Sequence, residues 1–262
     1  LSGTVYQQWR INHPAQSGQN VVNAPAASGE EVHVGDLGSG SDFTPFFQHA
    51  GVPSTDIGSS GPYGVYHSVF DNFAWFTLNA DPKFVYLQQM ARVLGLEGLR
   101  MADADVLPYD YVAYAREISA YLEAAKKKTW VPGDKPSSVR WSAPASGHYS
   151  LDFSAAEAAA ARLAAAAEHA RTLQLAASGD LAKLNLSLRQ AENALLSDAG
   201  LPNRPWYRHV IYAPGEFTGY SAVVLPGVNE ALDAKDTTLA AQQLAVLAQA
   251  LDRAAQTLEG IH

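Results

Sequence analysis

A chain of 262 residues holds one large domain or two modest ones, and 47% hydrophobic residues are enough for a substantial core. The formal net charge is −8 and no basic cluster exceeds Lys126-Lys127-Lys128, which argues against nucleic acid as a partner; the absence of cysteine excludes disulfides and thiolate metal sites. No apolar run approaches the roughly 20 residues of a membrane span. Leu1-Ser2-Gly3-Thr4 does not open a signal peptide, and the missing initiator methionine suggests that the true N-terminus lies elsewhere.

Composition shifts near residue 105. Before it, Gly, Ser, Pro and aromatic residues dominate. Val32-His33-Val34-Gly35 and Thr55-Asp56-Ile57-Gly58 read as short strands on either side of a helix over Asp42–Gly51. Asp42 or Ser41 caps that helix, Pro45 sits in its first turn and Gly51 stops it. Such alternation predicts the edge of an α/β sheet. Helices follow over Phe70–Phe76 and Pro82–Leu94, with Gly95 as the stop. After Leu107-Pro108-Tyr109-Asp110, helical periodicity runs over Tyr111–Lys127, and a polar stretch occupies Trp130–Tyr149. Ser154-Ala155-Ala156-Glu157 has the spacing of a capping box and opens an alanine-rich helix to about Ala177. Further helices are predicted over Asp180–Leu196 and Thr237–Leu258, the last ended by Gly260. Nothing repeats at a fixed period.

Two sites stand out as chemistry. His67, in Tyr66-His67-Ser68-Val69-Phe70-Asp71, follows a Gly/Ser/Pro loop, where an imidazole can be turned into a cleft and an aspartate one helical turn on can steady it. A lone histidine beside aromatics is more often a satisfied structural residue than a metal ligand. Gly38-Ser39-Gly40-Ser41-Asp42 permits close backbone approach and opens onto a helix N-terminus. It lacks the Gly-Lys-Ser/Thr of a phosphate loop, and a plain turn is the simpler reading. No Gly-x-Ser-x-Gly elbow occurs, so a Ser/His/Asp hydrolase has no nucleophile motif here. His13, His33, His49, His148, His169 and His262 read as solvated, whereas His209 is embedded in aromatics and reads as structural.

Five blocks together resemble the C-terminal part of glutamate carboxypeptidase II and its transferrin receptor-like relatives. They are Leu37–Phe43 with Phe46-Phe47-Gln48, then Tyr66-His67-Ser68-Val69, then Leu107-Pro108-Tyr109-Asp110, then Leu201–Pro214, then Leu225-Pro226-Gly227. Order and spacing agree over essentially the whole chain. The resemblance implies an α/β fold followed by an all-α one. Residues 1–105 would be the C-terminal portion of a zinc peptidase domain, and residues 106–262 a helical dimerisation domain.

Active members of that family are exopeptidases with two zinc ions. The resemblance makes His67 the final histidine ligand, with the other ligands and the base glutamate upstream of Leu1, so this chain alone would be inert. It makes Tyr66 the tyrosine that contacts substrate and the tetrahedral intermediate, and Tyr220 the one that meets the substrate carboxylate. Ser39, Gly40 and Ser41 align with the pocket-lining loop, Ser41 replacing an asparagine. Two departures bear on specificity: Gly219 replaces the lysine before the pocket tyrosine, and Asp56 to Gly58 align with an arginine patch. Loss of those charge-assisted contacts implies a peptidase of short peptides, carboxypeptidase or aminopeptidase, without strong glutamate preference. The expected partners are a peptide substrate and a second copy in a homodimer, and family resemblance alone favours an extracytoplasmic location. The alternative is a metal-free, receptor-like dimerisation and interaction module, from which Tyr66-His67-Ser68 with Asp71 would discriminate.

Overall fold

The computed structural model describes residues 35–58, 61–128 and 151–261. The strand expected over Val32–Gly35 and the polar stretch over Trp130–Tyr149 lie, but for Gly35, outside them, as do His13, His33, His148 and His262. In chain order the elements are α1 (Pro45–His49), α2 (Phe73–Trp75) continued by a wider helical turn over Phe76–Ala80, α3 (Val85–Ala102), α4 (Tyr111–Lys127), α5 (Ser154–Ala176), α6 (Leu181–Asn193), β1 (Tyr212–Pro214), β2 (Ala222–Val224), α7 (Pro226–Asp233) and α8 (Thr237–Glu259). The protein is mostly helical, with one small antiparallel hairpin among the described residues.

Three helices start by the same device. The carboxylates of Asp110, Asp180 and Asp236 accept the backbone N–H three residues on, at 3.0, 3.0 and 2.9 Å. Each satisfies one of the orphan donors of a first turn, worth about 1 kcal/mol. The core is the bundle of α4 to α8. In α4, Tyr111, Ala115, Ile118, Leu122 and Ala125 recur at spacings of three and four and are buried. In α5 the buried stripe is almost all alanine, and in α8 it mixes Ala250, Ala254 and Ala255 with Leu244, Leu247, Leu251 and Leu258. Small side chains let α5 lie close along α8, while α4 flanks α5 and α6 and α7 flank α8. Lys126 and Lys128 pair with Glu157 of α5 and Asp233 of α7.

Several local expectations are corrected. Thr55–Gly58 is not a strand: among the described residues nothing pairs with it in a ladder, and an unpaired strand satisfies none of its backbone groups. Gly95 does not stop α3, which runs through both Gly95 and Gly98 to Ala102; an exposed glycine costs a helix only about 1 kcal/mol. That helix begins where buried Asp81 accepts the N–H groups of Val85 and Leu87. The capping box at Ser154 does not form. Ser154 is already helical, its N–H donates to Asp152, and the bonds from Ser154 hold the Asp152 carboxyl below its usual range. Nor does Asp42 or Ser41 cap α1, whose N-cap is Thr44 without a side-chain bond.

Segment 35–52 is fastened to the bundle. Arg208 N–H donates to the Gln48 carbonyl and Asn193 Nδ2 to the Ala50 carbonyl, while Leu37 and Phe43 pack on the core. α2 and α3 are different: neither has a buried residue, and Phe70, Phe73, Leu78, Tyr86 and Leu99 are exposed. No described helix is long and apolar enough to cross a membrane.

Candidate functional site

The fold brings together the 38–41 loop and Tyr220, which are 180 residues apart in the chain. β1 and β2 pair with Tyr212 opposite Val224 and Pro214 opposite Ala222, so residues 215–221 form the tip of a hairpin. The tip is tied internally: Thr218 Oγ1 donates to the Ser221 carbonyl and accepts the Gly215 N–H, while Glu216 N–H donates to Glu230. Glu230 is itself held at 2.8 Å by Arg204. Tyr220 therefore leaves a braced turn.

On the other side, Ser39 N–H donates to the Tyr220 carbonyl at 3.0 Å. Gly38 and Gly40 are dictated by that contact. A Cβ on Gly38 would lie 1.9 Å from the Tyr220 carbonyl oxygen, and one on Gly40 would lie 2.6 Å from its ring. Gly40 also has φ +97°, a conformation L side chains rarely adopt. The result is a shallow, half-exposed wall with backbone polar groups of Ser39–Ser41 on one side and a phenol on the other. Such a wall can offer hydrogen bonds to a small polar group.

Tyr66 and His67 lie elsewhere, on the exposed segment. Their rings stack on each other at 3.9 Å between centroids, Tyr66 is 69% exposed, and His67 has φ +59°, unusual for a residue with a side chain. His67 occupies a turn ahead of Asn72, whose side chain caps α2, so Asp71 does not sit one helical turn along a shared helix. Among the described residues, no hydrogen bond or ring contact joins this pair to the 38–41 loop or to Tyr220. Among the described residues, no three His, Asp or Glu side chains come together in a way that can hold a metal ion. A zinc ion needs about four ligands, so the donor set among the described residues does not fit a complete site.

A buried polar network behind the loop was not read as functional from the sequence. His209 is fully buried, with Nε2 2.7 Å from Glu192 Oε1 and Nδ1 facing the N–H groups of Ile211 and Tyr212. Phe47 of α1 stacks on its imidazole at 4.3 Å and 21°. Tyr212 lies stacked alongside the imidazole at 6.2 Å, Tyr114 and Tyr121 pack on Tyr212, Tyr111 packs on Tyr114, and Tyr121 Oη donates to Asp36 at 2.7 Å. Burial pushes all four phenols well above their ordinary range. The Glu192 carboxylate adds to this at Tyr111 and Tyr114, and Asp36 and Tyr212's neighbour Tyr121 add to it at Tyr121 and Tyr212 respectively. The only signal in the sequence was the aromatic setting of His209.

Residues 148–259 match a family model described as the transferrin receptor-like dimerisation domain. A probable glutamate carboxypeptidase of Arthroderma benhamiae is 37% identical over 242 residues, which is 90% of this chain and 32% of the relative. A probable glutamate carboxypeptidase of Arabidopsis thaliana is 34% identical over 226 residues, 85% of this chain and 31% of the relative. The aminopeptidase NAALADL1 of Rattus norvegicus is 29% identical over 248 residues, 87% of this chain and 31% of the relative. The chain thus spans about a third of the length of these curated relatives.

Proposed function

Because this chain belongs to the glutamate carboxypeptidase-like, transferrin receptor-like metallopeptidases as a C-terminal part, we propose that it completes the substrate pocket and supplies one metal ligand of a di-zinc exopeptidase acting on short peptides. In this reading residues 1–105 belong to the peptidase domain and residues 106–262 to the helical dimerisation domain. His67 is the one zinc-binding imidazole on the chain and Tyr66 the neighbouring catalytic phenol. Ser39, Gly40 and Ser41 line the pocket, and Tyr220 meets the substrate's carboxylate. The remaining ligands and the base lie in an upstream part of the same polypeptide, and the chain is inert without it.

The observation that carries the reading is the junction of the 38–41 loop with Tyr220, two segments remote in sequence that meet with glycines at the points of closest approach. The exposed apolar side chains of α2 and α3 supply a second argument, since a free-standing surface of that kind is costly and marks an interface.

The test is a His67→Ala substitution in the protein that carries this chain together with its upstream part. Hydrolysis of short peptides should be abolished, while circular dichroism of the helical half stays unchanged. A fully active variant would show that His67 holds no catalytic metal, whereas an unsubstituted protein without peptidase activity would favour the receptor-like reading.

A further inference from the structure

A buried carboxylate and imidazole are an expensive way to fill a core. Desolvating both costs more than burying two aliphatic side chains of the same volume, unless the hydrogen bonds they make are used for something. Glu192 and His209 are both almost wholly inaccessible, and their bond is short, at 2.7 Å. The imidazole is also oriented. Nδ1 faces two backbone N–H groups, Ile211 at 3.2 Å and Tyr212 at 3.3 Å, so it accepts and carries no proton. The proton is therefore on Nε2, donated to Glu192. Three hydrogen bonds from two sides fix the ring plane.

That plane is the seat of Phe47, stacked on it at 4.3 Å. The next residue, Gln48, is fully buried and bridges two places. Its carbonyl accepts the N–H of Arg208, the neighbour of His209, at 2.9 Å, and its Nε2 donates to the Gly38 carbonyl at 3.1 Å. Gly38 lies against Tyr220, and Ser39 N–H closes the line onto the Tyr220 carbonyl at 3.0 Å. We propose that the buried Glu192–His209 pair is the positioning group of the candidate pocket: it orients Phe47 and, through Phe47 and Gln48, holds the Gly38–Ser41 loop against Tyr220. Neither residue touches substrate. What the pair needs from Glu192 is an acceptor for Nε2–H, not a charge.

The kinetic part of the test rests on the peptidase reading, and the exchange part does not. In the protein that carries the chain with its upstream part, Glu192→Leu and His209→Phe should raise KM for short peptides about tenfold with kcat changed less, as expected when a binding wall loosens rather than the chemistry. Hydrogen exchange at the Ser39 amide should accelerate by about tenfold or more in the same variants, while their thermal unfolding stays cooperative. Glu192→Gln keeps the acceptor and should stay within about threefold of the wild type on both readouts. Unchanged Ser39 protection in Glu192→Leu and His209→Phe would overturn the proposal, as would a Glu192→Gln variant as impaired as Glu192→Leu. Should those two variants fail to fold, Phe47→Leu leaves the pair intact and cuts the line one step further on. It should show the same faster exchange, and normal exchange there overturns the proposal. A wild type without peptidase activity would remove the functional reading, and Ser39 exchange would still decide the role of the pair.

Discussion

Gly219 sits one residue before Tyr220, where the resemblance puts a lysine, and Asp56 lies in the segment aligned with an arginine patch. The structure gives Gly219 a φ of +65° and open space beyond it, so a long side chain has room there at a backbone cost of about 1 kcal/mol. A lysine at this point would add a Coulomb attraction to an acidic side chain that the present wall lacks. Attraction between an exposed ammonium and a carboxylate is worth about 1 kcal/mol at most, so Gly219→Lys should raise kcat/KM on Ala-Glu-type peptides by up to about fivefold and leave Ala-Leu-type peptides little changed. Steady-state kinetics on the two peptide classes check this. A wild type that already prefers the acidic class, or a variant without gain, would show that a residue other than those at the hairpin tip reads the substrate.

α4 and β1 share the tyrosine cluster that backs the candidate pocket. Burial, reinforced by the Glu192 and Asp36 carboxylates, keeps Tyr111, Tyr114, Tyr121 and Tyr212 protonated in the folded state well past their ordinary range. In the unfolded chain the same phenols ionise near their ordinary pKa of about 10. Below that pH both states hold the protons and stability is unaffected. Above it the unfolded state binds fewer protons than the folded one, so stability falls as pH rises. The expected outcome is an alkaline unfolding transition beginning above about pH 10, in which phenolate absorbance from the buried tyrosines appears together with the loss of helical circular dichroism. Replacing Tyr212 with Phe should shift that transition to higher pH. Phenolate signals that appear while the helices stay intact would contradict the cluster's burial.

At the scale of the molecule, residues 148–259 match a dimerisation-domain model, while the alanine stripe of α5 is already buried within the chain against α8. The protein joined to its upstream part should sediment as a two-fold dimer at micromolar concentration, and a strict monomer would contradict this. The exposed segment around α2 and α3 has a different consequence. This chain alone offers His67 to a metal without a group of co-ligands among the described residues. Calorimetric titration of the chain should therefore show zinc binding no tighter than an exposed histidine gives, and a stoichiometric submicromolar site would overturn the assignment of the missing ligands to the upstream part.

Local chemistry was enough to determine α4, α5, α6 and α8, but not α7, which no sequence signal announced. Asp110 before an apolar stripe of period 3.6 set the bounds of α4, and Asp180 and Gly260 marked the start of α6 and the end of α8, because caps and periodicity are properties of a few consecutive residues. Gly95 shows where such rules fail: a glycine is a stop only if the next turn has no reason to continue. The hairpin at 212–224 escaped notice because its strands are three residues long and one ends in proline, so the pairing exists only through what α7 and the core hold in place. The Glu192–His209–Phe47 line was invisible for the same reason. Each member is an ordinary residue on its own helix or loop, and only close packing of segments as far apart as Phe47 and His209 turns them into one support for the pocket wall. Distance in sequence hides such contacts, since the free energy that fixes them belongs to the packed core and to no local stretch of chain.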